Sequence, residues 1–184
     1  MMDSKPFVII LDLSLNETGF AVFQRKYRGN PGLIDWGTVQ NHHFGTEEEG
    51  RKLQRIEMQL MTLRASYYPA DIVCEEWLSN VQNSGRVNRN NGYTSAYKLG
   101  GVHGIAKKVF NDTEFVFINN KTMKKEFAGN GNAEKADVIA KCYEIKEKLV
   151  GKKNAETFTV KNDNDADAIG LGVTYFKQTG EWKD

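Results

Sequence analysis

The stretch Phe7 to Leu13, Phe-Val-Ile-Ile-Leu-Asp-Leu, constrains this chain more than any other: five consecutive apolar residues end on a carboxylate, and Ser14, Asn16 and Gly19 follow. A short apolar run with branched residues and a turn behind it reads as a central strand buried on both faces. Asp12 is the residue that does not fit such a strand. A carboxylate at the mouth of a buried strand is costly to desolvate, and hydrogen bonds, a cationic side chain or a metal ion must offset that cost.

Composition sets broad limits. A length of 184 residues suits one domain over 1–184 with a sizeable core, and 40% hydrophobic with 27% charged residues is ordinary for a soluble globular chain. The apolar run behind Met1-Met2-Asp3-Ser4-Lys5 is too short for a signal segment or a membrane span, so no membrane association and a cytoplasmic location are expected. Cys74 and Cys142, one in an expected strand and one in an expected helix, read as reduced structural residues.

The net charge of +1 conceals a strong asymmetry. Residues 1–77 hold 8 Lys and Arg against 11 Asp and Glu, residues 78–153 hold 14 against 7, and residues 154–184 return to a net of −3. No acidic residue lies between Leu78 and Asn111. A basic middle between acidic ends suits a polyanionic substrate brought up to a few carboxylates.

Along the chain, Gly19 to Tyr27 alternates as a second strand and Leu33 to Phe44 as a third, with Ile34, Trp36 and Val39 as its apolar residues, which gives an antiparallel meander. Thr46 to about Ser66 reads as a helix, with Leu53, Ile56, Leu60 and Leu63 at helical spacing and Pro69 after it. Asp71 to Glu76 is then a strand reached by a helical crossover, parallel to the first. Asp12 and one of Glu75 and Glu76 fall at the same end of adjacent strands, about 4.8 Å apart, a separation at which two carboxylates can share a divalent cation. Adjacent strand residues face opposite ways, and periodicity does not choose between the two glutamates.

Leu78 to Gly92 reads as a polar loop, and Thr94 to Phe110 as a helix whose Gly100, Gly101 and Gly104 imply that another element packs closely. Glu114 to Asn119 is a fifth strand. Lys121 to Phe127 and Ala133 to about Leu149 are helices, and Lys148 to Val160 is a surface connection. The last helix begins near Asp163, where Asn162 to Ala168 places three carboxylates in five positions. Capping and the helix dipole account for one or two of them but not for Asp167, which lies within the helix between two alanines. Asp12, Glu75 and Asp167 together point to Mg2+.

Five segments in order resemble the RuvC-like Holliday-junction resolvases of the ribonuclease H-like superfamily, in particular the shorter phage-type members. Ile9 to Gly19 resembles the first strand with its leading Asp and Thr-Gly turn. Val73 to Trp77 resembles the strand with the catalytic Glu, and Ser95 to Ala106 the helix with Lys-Leu-Gly. Met123 to Lys135 resembles the segment with two lysines around a Gly-x-Gly loop, and Asp165 to Gly170 the terminal Asp-Ala motif. The resemblance implies an α/β fold: a ribonuclease H-like five-stranded mixed sheet, three strands in an antiparallel meander and two parallel, flanked by helices.

The resemblance also implies an endonuclease that resolves four-way DNA junctions by paired nicks, as a homodimer, with two Mg2+ ions per site that Mn2+ can replace. It favours Glu75 over Glu76. The family places its fourth acid where this chain has Asn164; Asp163, one turn back on the face of Asp167, is taken for that role, whereas Asp165 points away. Catalytic and metal-holding residues are then Asp12, Glu75, Asp163 and Asp167, with Lys124 and Lys135 on the phosphate. Arg86, Arg89, Lys124, Lys125 and Lys135 are the expected DNA contacts, and one of Trp77, Leu78 and Tyr93 could wedge against an unstacked base. A ribonuclease H-like nuclease for RNA, hybrid or other branched intermediates and a non-catalytic DNA-binding module are the alternatives. Gly129 to Lys135 lacks the Gly-Lys-Ser/Thr of a P-loop, so no nucleotide cofactor is expected, and His42, His43 and His103 have no ligand-type partner in sequence.

Overall fold

The structure, a computed structural model, describes residues 6–26, 28–76 and 89–183, with residues 89–96 described through their backbone alone. Strands β1 (Phe7–Asp12), β2 (Glu17–Gln24), β3 (Gly32–Gln40), β4 (Asp71–Glu75) and β5 (Glu114–Ile118) form one sheet in the order β3-β2-β1-β4-β5. β1, β2 and β3 are antiparallel neighbours, and β4 and β5 run parallel to β1. The mixed sheet is therefore the one the sequence implies.

Helices cover both faces, which is why β1 is apolar on both. Ile9 and Leu11 face a core made with helices α1 (Glu49–Tyr67) and α2 (Arg89–Val109), through Ile56, Leu60, Leu63, Val102 and Ala106. Val8 and Ile10 face the other core, made with helices α3 (Asn120–Ala128), α4 (Lys135–Glu144), α5 (Lys146–Val150) and α6 (Asp163–Gln178). Val8 to Leu11 are fully buried. α6 is the central cover, and Gly170 and Gly172 let it sit low: a Cβ on the first would stand 2.9 Å from Met123 Sδ, and one on the second would strike the Phe23 ring. Among the described residues no helix is long and apolar enough to cross a membrane.

Four expectations change. The third strand ends at Gln40, and its register shifts between Val22 and Phe23, so that Ile34 is skipped in the pairing and stands exposed while Leu33 is buried. The helix expected over Ala133 to Leu149 breaks at Ile145 into α4 and α5. The stretch expected as a surface connection, Lys148 to Val160, instead contributes Leu149, Ala155 and Phe158 to the core. On α2, Gly100 and Gly104 have nothing within 4 Å of where a Cβ would stand, and Gly101 meets only Leu53 at 3.8 Å, so no element presses on this stripe among the described residues.

Candidate active site

The sheet's geometry alone places the acids. β1 and β4 are in register through Leu11 and Cys74, so the next residues, Asp12 and Glu75, come side by side at the carboxyl ends of two parallel strands. Asp12 follows Val8 and Ile10 in alternation and Glu75 follows Val73, so both turn to the face covered by α6. Asp12 and Glu75 share a hydrogen bond. Glu76 turns away, and its Oε2 lies 3.4 Å from Asn119 Nδ2.

A row of four residues crosses the sheet at this level: Glu75, Asp12, its β2 partner Gly19, and the β3 partner of that glycine, Thr38. The first turn of α6 lies along the row. Asn164 rests on Gly19, where a Cβ would stand 2.9 Å from its carbonyl carbon and closer still to its carbonyl oxygen. Asp165, almost fully buried, accepts from Thr38 Oγ1 at 2.6 Å and from the Lys161 N–H at 3.0 Å. Asn162 caps the helix by accepting from the Asp165 N–H at 2.9 Å. With Asp165 committed to Thr38, Asp163 and Asp167, one helical turn apart, are the carboxylates of this helix whose charges bear on Asp12.

Burial first, then the charges of Glu75, Asp167 and Asp163, push the Asp12 carboxyl well above the usual carboxylate range. Burial also raises Glu75, against hydrogen bonds from Asn120 and Asp12 and the charge of Lys124. Asp167 is pushed up to about 6 by burial and by Glu75 and Asp163, against Lys124 and Lys135. Asp163 moves the other way, because Lys135 Nζ is hydrogen-bonded to its Oδ2 and holds its carboxyl below the usual range. Lys124 is half-buried on α3 with its charge on Glu75 and Asp167, whereas Lys125, one residue on, is exposed.

Acids with raised pKa values beside two lysines are what an all-oxygen site for a hard divalent cation looks like when its charge is balanced by protons and ammonium groups. The donor chemistry fits Mg2+. The spacing is looser than a closed cage: among the described residues no three His, Cys, Asp or Glu side chains stand close enough together to hold one ion.

The structure thus gathers Asp12, Glu75, Asp163, Asp167, Lys124 and Lys135 around the carboxyl ends of the two central strands β1 and β4. Arg86, Trp77 and Leu78 and the side chains of Arg89 and Tyr93 lie outside the described residues. Two nearby residues escape a reading by motif. Asn120, which hydrogen-bonds Glu75, follows the end of β5, and a residue just past a parallel strand beside β4 was the available signal. Glu17 pairs with His42, Oε1 to Nε2 at 2.7 Å, an acidic partner that only the antiparallel pairing of β2 and β3 supplies.

No family model matches the sequence, and no curated protein matches it. Solved structures do. Thermus thermophilus RuvC is 20% identical, with a TM-score of 0.65 over 96% of this chain and 98% of that one. T. thermophilus RuvC in complex with a Holliday junction substrate gives 16% identity and a TM-score of 0.67 over the same shares. The yeast mitochondrial Holliday junction resolvase Ydc2 gives 11% and 0.65, over 97% of this chain and 80% of that one. At these identities the likeness establishes a RuvC-like fold.

Proposed function

We propose that this chain is a metal-dependent endonuclease that cuts branched DNA, with the four-way junction as its substrate. The observation that carries the reading is the pairing of Asp12 with Glu75 at the carboxyl ends of β1 and β4, beneath Asp163 and Asp167 and flanked by Lys124 and Lys135. The RuvC-like fold, and the fact that one such neighbour was solved with a Holliday junction substrate, support the choice of DNA.

Asp12, Glu75, Asp163 and Asp167 would hold two Mg2+ ions, with Mn2+ as a substitute, and such ions supply a nucleophilic water at neutral pH and stabilise the leaving 3′-oxygen. The protein's own groups do the rest. The buried stretches of β1 and β4 that precede them hold Asp12 and Glu75 rigidly, with both side chains half-buried at the strand ends. Lys124, held between Glu75 and Asp167 in charge, offsets negative charge at the scissile phosphate. Lys135, largely exposed, reaches the adjoining phosphate. Arg86, Arg89 and Lys125 extend the contact along the DNA backbone. A four-way junction has two-fold symmetry, so paired nicks call for two copies of the site in a homodimer.

The test is cleavage of a synthetic four-way junction in Mg2+. Two nicked duplexes, with linear duplex and RNA–DNA hybrid left intact, are expected. Equal cutting of the linear or hybrid substrates would favour the broader ribonuclease H-like reading. Junction binding without cleavage by the intact protein would favour a non-catalytic module.

A further inference from the structure

Glu17 opens β2 at the end of the sheet that carries the acids. Both of its oxygens are taken. Oε1 faces His42 Nε2 at 2.7 Å, just past the end of β3, and Oε2 accepts from Asn164 Nδ2 at 3.0 Å, in the first turn of α6. Two residues further along the same face of β2, Gly19 seats the backbone of that same Asn164. Asn164 is therefore held twice by one strand, through its side chain at Glu17 and its main chain at Gly19. Its sequence neighbour is Asp163, and Asp167 stands one turn on. The Glu17 carboxyl lies below its usual range chiefly through its hydrogen bonds to His42 and Asn164, so it is the ionised form that makes the clasp.

An amide at 164 is what this arrangement requires. Asn164 Nδ2 donates to a carboxylate; an Asp there would set two carboxylates at hydrogen-bond distance, and one would have to take up a proton or swing away. A helix start displaced by even about 1 Å redirects every side chain it carries, which is the scale on which metal and catalytic sites lose function.

We propose that Glu17 is a positioning residue of the acid site: by clasping Asn164 and His42 it fixes the first turn of α6, and with it the aim of Asp163 and Asp167, and it makes an amide obligatory at position 164. This rests on the reading of those acids as a metal-holding site. It assigns Glu17 no contact with metal or substrate.

A charge swap tests it. Mn2+ binding to the full-length, DNA-free protein is measured by calorimetry for the wild type, Glu17→Ala, Glu17→Gln, Asn164→Asp and the double variant Glu17→Gln/Asn164→Asp, each with a thermal melt. Glu17→Ala and Asn164→Asp are expected to weaken Mn2+ binding about tenfold or more, the scale for losing a group that orients a metal ligand. Glu17→Gln keeps an acceptor for Asn164 and should fall between these and the wild type. The double variant restores an amide–carboxylate pair in reverse and should bind Mn2+ within about threefold of the wild type.

A double variant no better than Asn164→Asp alone overturns the proposal, as does a lower melting temperature in Glu17→Ala with unchanged Mn2+ affinity. A wild type that binds no Mn2+ overturns both this and the metal-site reading. A wild type that binds Mn2+ but cuts no junction leaves the swap pattern as the measure of this proposal and sinks the nuclease reading alone.

Discussion

The carboxyls of Asp12 and Glu75 share a hydrogen bond across two parallel strands at the centre of the sheet. Two carboxylates at that range cannot both be ionised cheaply in a buried site, so without a cation one of them keeps a proton. Asp12→Asn keeps the hydrogen bond and removes the charge. The variant should melt higher than the wild type in the absence of metal, by about 2–4 °C for a gain near 1 kcal/mol in a chain this long. Its junction cleavage should fall by at least about 10³-fold, the scale for deleting one of a set of groups that act together. A gel assay should still show junction binding. Thermal melts in chelator check the first statement, and a lower melting temperature would count against the shared-proton pair.

The two kinds of glycine in this chain should respond to alanine with opposite signs. At Gly19 the added methyl would strike the main chain of Asn164, which cannot move without moving Asp163 and Asp167. Gly19→Ala should cost about 1–3 kcal/mol and reduce metal affinity with it. At Gly104 nothing among the described residues lies within 4 Å of a Cβ and the residue is helical, so Gly104→Ala should stabilise by about 0.5–1 kcal/mol. Chemical denaturation of the two variants side by side gives both signs.

The sheet could be read from the sequence because its central strand is buried on both faces and the helical crossover before Asp71 forces a parallel neighbour. The order of the strands, and hence the meeting of Asp12 with a glutamate from β4, followed from those two facts. What stayed illegible depended on contacts distant in sequence. Glu75 and Glu76 separate only once the register of Leu11 with Cys74 is known. Helical spacing already set Asp163 and not Asp165 on the face of Asp167, but what Asp165 does instead, accepting from Thr38 on the far strand, was not legible. Ile34 looks like a core residue until the register shift opposite Phe23 skips it, and the pairing of Glu17 with His42 needs the β2–β3 meander to exist. The glycines of α2 differ for another reason: composition reports that a Cβ is missing, not what fills the space, and among the described residues nothing does at Gly100 and Gly104.

Lys135 pairs with Asp163 while remaining largely exposed, so the pair is a weak contributor to stability and a strong one to local charge. Lys135→Gln should therefore change folding stability by less than about 0.5 kcal/mol. If Lys135 serves a phosphate, the same variant should weaken junction binding and lower the slope of log affinity against log salt by about one unit. Binding isotherms at four salt concentrations provide the slope. An unchanged slope would place Lys135 among the solvated surface lysines.

The raised carboxyls make the metal-free protein less stable as pH rises. Asp12, Glu75 and Asp167 hold their protons in the folded state to higher pH than in the unfolded chain, where such groups ionise near pH 4. Between about pH 4 and 6 the native state therefore binds more protons than the unfolded state, and stability falls through that window, Asp167 releasing its proton at about 6. Asp163 and Glu17, with lowered values, act in the opposite sense: their contribution is present above about pH 4 and is lost as pH falls through their folded values. The metal-free protein should thus be most stable near pH 4–5, below the usual range. Asp167→Asn removes one of the groups responsible, and it should flatten the decline and raise stability at pH 7 by about 1–3 kcal/mol. Mn2+ added at pH 7.5 should raise the melting temperature of the wild type and raise that of the variant far less, since the cation replaces protons the variant no longer holds. Melts across pH 4 to 8, with and without Mn2+, provide the test, and a wild-type decline that survives intact in Asp167→Asn would show that the acid site is not its source.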